Sequence, residues 1–372
     1  MLLAAAAAVV VGGAVVAVAA SSGAGTAPPP KPLADALHDA LAAPKPAGVT
    51  ARVTFTNNLL PSTALFGNVG SALLSGASGR LWMTNDGHGR IELQSDAGDV
   101  QVVWSPTQVS VFDASSNTVY KLTLPASSEK TSDAHTTPTA AQISDFLTQL
   151  AKHLDVSGAA PTVVGERPAY DTSLATRETD TLLGSLHLAW DAEQGVPLRA
   201  GLFAKGSDTP ALQLAVHSIS YAAVPSSDVE IAPPGGARVV DLAAASADSA
   251  ATRAKPVTGL DAVKAGADFG VVAPDALAGR VRTHAVLAGR RVMLVYGEGP
   301  GAIVVIERKA DATQSSGGML DALPKVSLNG ATGHELGTQL GTAITWQRGD
   351  VAFVLVGSVP SATAESAAAD VA

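Results

Sequence analysis

Not one of the 372 residues is a cysteine. That absence removes disulfides, thiolate metal sites, cysteine nucleophiles and lipid attachment through a cysteine sulfur. It does not place the chain in the cytoplasm, because an exported protein with a large enough core can do without disulfides. Aromatic residues are few, at 4%, and so are charged ones, at 15%. Basic residues are outnumbered, 24 Lys and Arg against 33 Asp and Glu, and the formal net charge is -9. Nucleic acids and anionic lipid headgroups call for a basic footprint. Neither is expected as a main partner, and no nucleic acid is.

Catalytic patterns are missing too. The chain has no HExxH, no GxSxG and no P-loop. GEGPG at 297–301 looks like a dinucleotide-binding loop only at first sight. It lacks the GxGxxG spacing and sits between two strand-like runs, VMLVY and AIVVIE, where the fingerprint requires a strand and then a helix. A glycine-rich hairpin turn is the expectation. The eight histidines are scattered, and none stands with another His or a carboxylate at ligand spacing on one predicted face. No catalytic residue, metal or cofactor is expected, so the chain reads as a non-enzyme.

What the chain has in quantity is apolar residues, 47%, many of them alanine. Its length allows two cores, since a single core stops growing at roughly 250–300 residues. Residues 1–20, MLLAAAAAVVVGGAVVAVAA, carry no charge, and the first charged side chain is Lys31. At about 1.5 Å per residue such a helix spans about 30 Å, the hydrocarbon thickness of a bilayer. The segment reads either as an uncleaved signal anchor or as a signal peptide cut near Ala20. The missing positive flank also suggests a start upstream. Both readings put the rest of the chain outside the cytoplasm, anchored to the membrane by residues 1–20 or secreted if cleaved.

A Gly/Ser/Pro linker follows at 21–31. Leu33, Leu37 and Leu41 then recur at four-residue spacing in an amphipathic helix over 32–43. Short alternating segments start at residues 48, 79, 89, 99 and 107, parted by turn pairs such as Asp86-Gly87, as in an antiparallel meander. A second helix is expected over 140–154, with Ile143, Phe146, Leu147 and Leu150 on one face, and strands resume to 241. The stretch 242–256 reads as a linker. A smaller α+β region runs from 257 to 360, and the tail 361–372 should be frayed and disordered.

The positive signal is a stripe. Val53 and Phe55, Leu81 and Met83, Ile91 and Leu93, Val102 and Trp104, and Leu186, Leu188 and Trp190 alternate with their neighbours. Alternate side chains of a strand share one face, so these eleven could line one continuous apolar surface. Arg52, Thr54, Arg80, Thr84, Arg90, Glu92 and His187 between them are polar, as a half-buried sheet requires, whereas Trp82 and Ala189 break the rule. Ordinary core packed by the two helices is the competing explanation.

The order of helix, meander, helix and further strands resembles the outer-membrane lipoprotein carriers (LolA-like) and the related RseB-type sigma-factor regulators. The strongest local likeness lies in residues 163–239, through Gly165, Arg167, Ala169, Tyr170, Trp190, Asp191, Gly195, Pro197, Leu198, Arg199, Tyr221, Pro233, Gly235 and Val239. Glu166, between Gly165 and Arg167, departs from the pattern. The resemblance covers 32–241. It implies an α+β fold, a LolA-like half-barrel of curved antiparallel sheet with helices lidding its concave face, plus a smaller C-terminal α+β domain. It also implies a cavity for lipid or lipoprotein acyl chains lined by the eleven stripe residues or, alternatively, an RseB-like regulator that contacts a membrane protein of a signalling (anti-sigma) system. The alanine-rich composition suits an actinobacterial-type, membrane-anchored member, and the missing cysteine excludes a lipidated one.

Overall fold

The computed structural model describes residues 25–59, 72–124, 137–232, 234–241, 256–310 and 323–371. The segment 1–20, most of the two expected linkers and Pro233 lie outside these residues. Two sheets and a few helices make up the described chain. Among the described residues no helix is long and apolar enough to cross a membrane.

Helix α1 (Leu33–Ala42) leads into six strands, the last five joined by short turns: β1 (Gly48–Asn57), β2 (Ala77–Thr84), β3 (Gly89–Ser95), β4 (Gly98–Ser105), β5 (Gln108–Asp113) and β6 (Thr118–Thr123). The four-residue helix α2 (Ala72–Ser75) precedes β2. Helix α3 (Ala140–Leu150) starts on a capping box. Its Thr139 hydroxyl accepts from the Gln142 N–H at 3.3 Å, and the Gln142 side chain accepts from the Thr139 N–H at 2.9 Å. The strands β7 (Leu154–Val156), β8 (Ala160–Val164), β9 (Arg167–Thr176), β10 (Leu183–Asp191), β11 (Pro197–Ala204), β12 (Pro210–Ser220) and β13 (Arg238–Asp241) complete a thirteen-stranded sheet. Its order is β13-β6-β5-β4-β3-β2-β1-β12-β11-β10-β9-β7, with β8 beside β9. Every pair is antiparallel except β13 with β6. The sheet is large and curved. Its seam is the β1–β12 pairing, which joins the opening meander to the later one from Thr50↔Ser220 to Asn57↔Leu212.

The second sheet has nine strands: β14 (Val257–Thr258), β15 (Ala276–Leu277), β16 (Arg280–Ala288), β17 (Arg291–Tyr296), β18 (Ile303–Lys309), β19 (Lys325–Leu328), β20 (Ala331–Thr338), β21 (Gly341–Arg348) and β22 (Val351–Gly357). Helix α4 (Leu260–Gly266) packs on β14 and β16. The expected frayed tail is a correction. Residues 361–371 form helix α5 (Ser361–Val371), packed on β19, β21 and β22. Ala364, Ala367, Ala368 and Val371 are buried at spacings of three, four and seven, a helical stripe whose small residues let the helix lie close to the sheet.

Hydrogen bonds join the sheets through the β9–β10 connection. The Gly301 N–H donates to Glu178 Oε2 at 2.7 Å, the Leu182 N–H to the Ser358 carbonyl at 2.8 Å, and Arg280 pairs with Asp180. GEGPG is indeed a hairpin turn, between β17 and β18, and its backbone holds a carboxylate of the same chain. A Cβ on Gly299, whose φ is +67°, would stand 2.0 Å from Glu178 Oε1.

Candidate apolar binding face

Register decides which side chains share a face. Leu81 pairs with Ile91, Ile91 with Val102, and Val102 with Val111, which makes one apolar row across β2 to β5. A second row links Val53 through Gly79 to Leu93 and Val100. A third runs Met83, Gly89, Trp104, Val109, and glycine is needed in it because a Cβ at Gly89 would lie 2.1 Å from the Trp104 ring. Across the seam, Phe55 pairs with Leu214, Leu214 with Ala200, and Ala200 with Leu188. Leu212, Leu202, Leu186 and Leu174 form the neighbouring row. The stripe residues of the opening meander therefore share a face with Leu186 and Leu188.

Their surroundings differ. Val53, Phe55 and Leu93 are buried with Ala72 of α2, which sits against β1, β3 and β4. Trp190 is buried beside Tyr170 and Ala36, under α1. Leu81, Ile91 and Val102 are half-buried and pack against the first of these clusters, Leu188 is half-buried and packs against the second, and Met83 and Trp104 are half-buried. Leu186 and Leu214 are each 37% exposed. The apolar stripe thus holds buried core beside α1 and α2, half-buried positions packed on that core, and an exposed part at Leu186 and Leu214. Val109, Val111, Leu174, Leu202, Leu212 and Leu214 belong to the same rows and escaped the sequence reading, because short segments with apolar residues at both parities do not reveal their register.

The opposite face is polar. Thr54 Oγ1 lies 2.6 Å from His217 Nε2, Arg199 pairs with Asp171, and Arg52 stands opposite Arg80. Trp82, an exception to the polar alternation, lies under the Arg90 guanidinium at 4.6 Å, and Arg90 donates to the Asp228 carbonyl at 2.9 Å. A cleft of about 390 Å³ at one end of the sheet is lined by Thr54, Asn57, Ser78, Gln94 and Asp96 besides Phe55. That lining is polar and does not suit a hydrocarbon.

Four residues of the 163–239 string converge. Asp191 is fully buried. Its Oδ2 accepts from Arg167 Nε at 2.8 Å and from the Tyr221 hydroxyl at 2.6 Å, and its Oδ1 accepts from the Glu193 and Gln194 N–H groups at 2.8 and 3.0 Å. Gly195 closes the turn by donating to the Asp191 carbonyl at 2.9 Å. Burial alone would raise the pKa of Asp191, but the bonds from Arg167, Tyr221 and the turn outweigh it and hold the carboxyl below its usual range. Nothing in this arrangement does chemistry: the aspartate is saturated and pins β9, β10 and the end of β12 to one another. Among the described residues no three His, Asp or Glu side chains gather where a metal ion could sit.

No family model matches the chain, and no curated protein matches it. Several solved structures are similar to it. One is the complex of Pseudomonas aeruginosa MucA and MucB, at 16% identity over 90% of this chain and 95% of that one, with a TM-score of 0.42. A conserved protein from Thermus thermophilus is 12% identical over 56% of this chain and 96% of its own, with a TM-score of 0.33. A LolA-superfamily protein from Nitrosomonas europaea is 8% identical over 54% of this chain and 98% of its own, with a TM-score of 0.22. MucB and LolA-superfamily structures are thus both among the chain's structural neighbours.

Proposed function

We propose that the first sheet binds the acyl chain of a lipid or lipoprotein on its apolar face, at the outer side of the cytoplasmic membrane, with the protein held there by residues 1–20. One observation carries the reading: a continuous apolar face, from Val111 across the seam to Leu174, that is buried beside α1 and α2 and reaches solvent at Leu186 and Leu214. Each methylene buried there contributes about 0.8 kcal/mol, so a hydrocarbon chain binds such a surface without any polar partner. The reading is of binding without chemistry.

Lipid extracted from the purified protein and identified by mass spectrometry, together with displacement of a fluorescent fatty acid, tests it. Leu186→Asp and Leu214→Asp should abolish uptake and leave the melting temperature nearly unchanged, because each side chain is already 37% exposed. Leu93→Asp should behave otherwise. Leu93 is 3% exposed, and an unpaired carboxylate there should cost several kcal/mol or prevent folding. Thr54→Asp, on the opposite face, should leave uptake intact. Recovery of no lipid, or unimpaired uptake by Leu186→Asp, would sink the proposal.

A second reading, a regulator that contacts a membrane partner, is favoured by the β9–β10 connection. The strands on either side of it carry Leu174 and Leu186, and its own Glu178, Asp180 and Leu182 hold the second sheet. An occupied face would then be felt at the second sheet. Hydrogen exchange of the Gly301 and Leu182 amides should change when a fatty acid is added; unchanged exchange would reject this reading while leaving the first intact.

A further inference from the structure

Three large apolar side chains stand out on one corner of the first sheet: Leu41 at the end of α1 (55% exposed), Phe146 on α3 (64%) and Val163 on β8 (42%). Contacts tie the three elements together. His38 Nδ1 of α1 lies 2.8 Å from the Pro138 carbonyl, just before the cap of α3. The backbone of Ala40 lies so close to Gly195 that a Cβ there would stand 2.2 Å from its carbonyl oxygen. Gly195 closes the turn whose Asp191 holds Arg167, and Arg167 follows the Gly165-Glu166 turn that Val163 leads into.

The same corner receives the N-terminal chain. The Gly25 N–H donates to the Glu166 carbonyl at 3.1 Å, and the Tyr170 hydroxyl donates to the Pro29 carbonyl at 2.7 Å. Gly25 is therefore pinned to the β8–β9 turn. From Ala20, the end of the uncharged apolar segment, to Gly25 there are five Cα steps, which reach about 18 Å at full extension. With segment 1–20 embedded in a bilayer, such a tether keeps this corner within about 18 Å of the membrane surface.

We propose that the corner formed by α1, α3 and the β8–β9 turn rests on the bilayer, with Leu41, Phe146 and Val163 dipping into its interface. The proposal rests on the anchoring of residues 1–20 and adds an orientation to it. The charges around the corner balance or are acidic: Asp39 pairs with Lys31, Glu193 with Arg167, and Glu166 is exposed. The contact is accordingly apolar, made to zwitterionic lipid and insensitive to salt.

The absence of cysteine makes the test direct. The full chain carrying Ala42→Cys, Asp145→Cys or, on the β21–β22 turn of the second sheet, Asp350→Cys is labelled with a fluorophore. Each labelled protein is reconstituted in phosphatidylcholine vesicles that hold a lipid-borne quencher. Labels at 42 and 145 should be quenched and the label at 350 should not. Adding Leu41→Asp, Phe146→Asp and Val163→Asp together should bring the first two down to the level of the third, while the protein still floats with the vesicles. Flotation with equal quenching at all three positions, or no effect of the triple substitution, overturns the proposal and leaves the anchor standing. Failure to float overturns both, and fatty-acid uptake by the same preparation reports separately on the apolar face.

Discussion

Asp191→Ala should lower the stability of the protein by about 3–5 kcal/mol, the range for breaking a buried ion pair from one side. The substitution leaves a partly buried guanidinium, Arg167, and the Tyr221 hydroxyl without the acceptor they share, and frees two turn amides. Asp191→Asn keeps an acceptor for the turn but loses the charge facing Arg167, so its loss should be smaller. Urea denaturation orders the two variants, and a loss under about 1 kcal/mol for Asp191→Ala would mean that the network carries no weight. The pH dependence has a definite sign. Because the folded pKa lies below the unfolded one, this stabilisation is present above the ordinary carboxylate range and is lost as the pH falls through the depressed value.

Glu307 works in the opposite direction. It is fully buried on β18, on the core side with Val305 and Ile303. Its Oε2 accepts from the Val272 N–H at 3.1 Å, and its Oε1 has no hydrogen-bond partner among the described residues. Burial pushes its pKa up from 4.5 to about 7, against the smaller pull of the Val272 N–H and of Lys264. Below the unfolded value the carboxyl is neutral in both states and the fold loses nothing. As the pH rises from the unfolded value to about 7 the unfolded chain ionises while the folded one stays protonated, and about 3 kcal/mol of stability should disappear across that window, above which the folded protein carries the buried charge. Glu307→Gln removes this dependence. The gap between the variant and the parent should therefore open from about pH 4 to about pH 8, in favour of glutamine. If the two proteins show the same pH profile, the buried charge is not what the geometry implies.

How much of this was legible follows from particular residues. The helices over 33–42 and 140–150 were readable because leucine at four-residue spacing, and Ile143, Phe146, Leu147 and Leu150 on one face, have few other uses; the capping box of Thr139 and Gln142 went unread. The strands of the opening meander were readable because polar residues separate their apolar ones. In IVVIERK that signal fails: Ile303, Val305 and Glu307 face inward while Val304, Ile306 and Arg308 face out, and both parities are apolar until the charges begin. Nothing in the sequence says which charge the core takes. Helix α5 was missed because alanine is a weak apolar marker and counts only once a flat sheet is there to meet it. The motif around Asp191 forms the hairpin between β10 and β11. That Arg167 and Tyr221 also reach the same carboxylate is a fact of space alone. For the apolar face, eleven positions were named, and the structure separates those buried beside helices, Val53, Phe55, Leu93 and Trp190, from half-buried ones and from Leu186, which is exposed. That division depends on where α1 and α2 come to rest, which no periodicity encodes.

The β1–β12 seam also governs when the first sheet can exist. Arg52 meets Ser218 and Asn57 meets Leu212, so the opening meander has no neighbour along β1 until nearly the whole of that sheet's chain is available. Contacts so distant in sequence make folding slow, because the intervening loop must be closed before any pairing rewards it. The seam therefore stays unmade until β12 is available. The half-finished sheet then offers an unpaired β1 edge to whatever surrounds it, which makes the interval before β12 arrives the stage at which this protein most needs a chaperone.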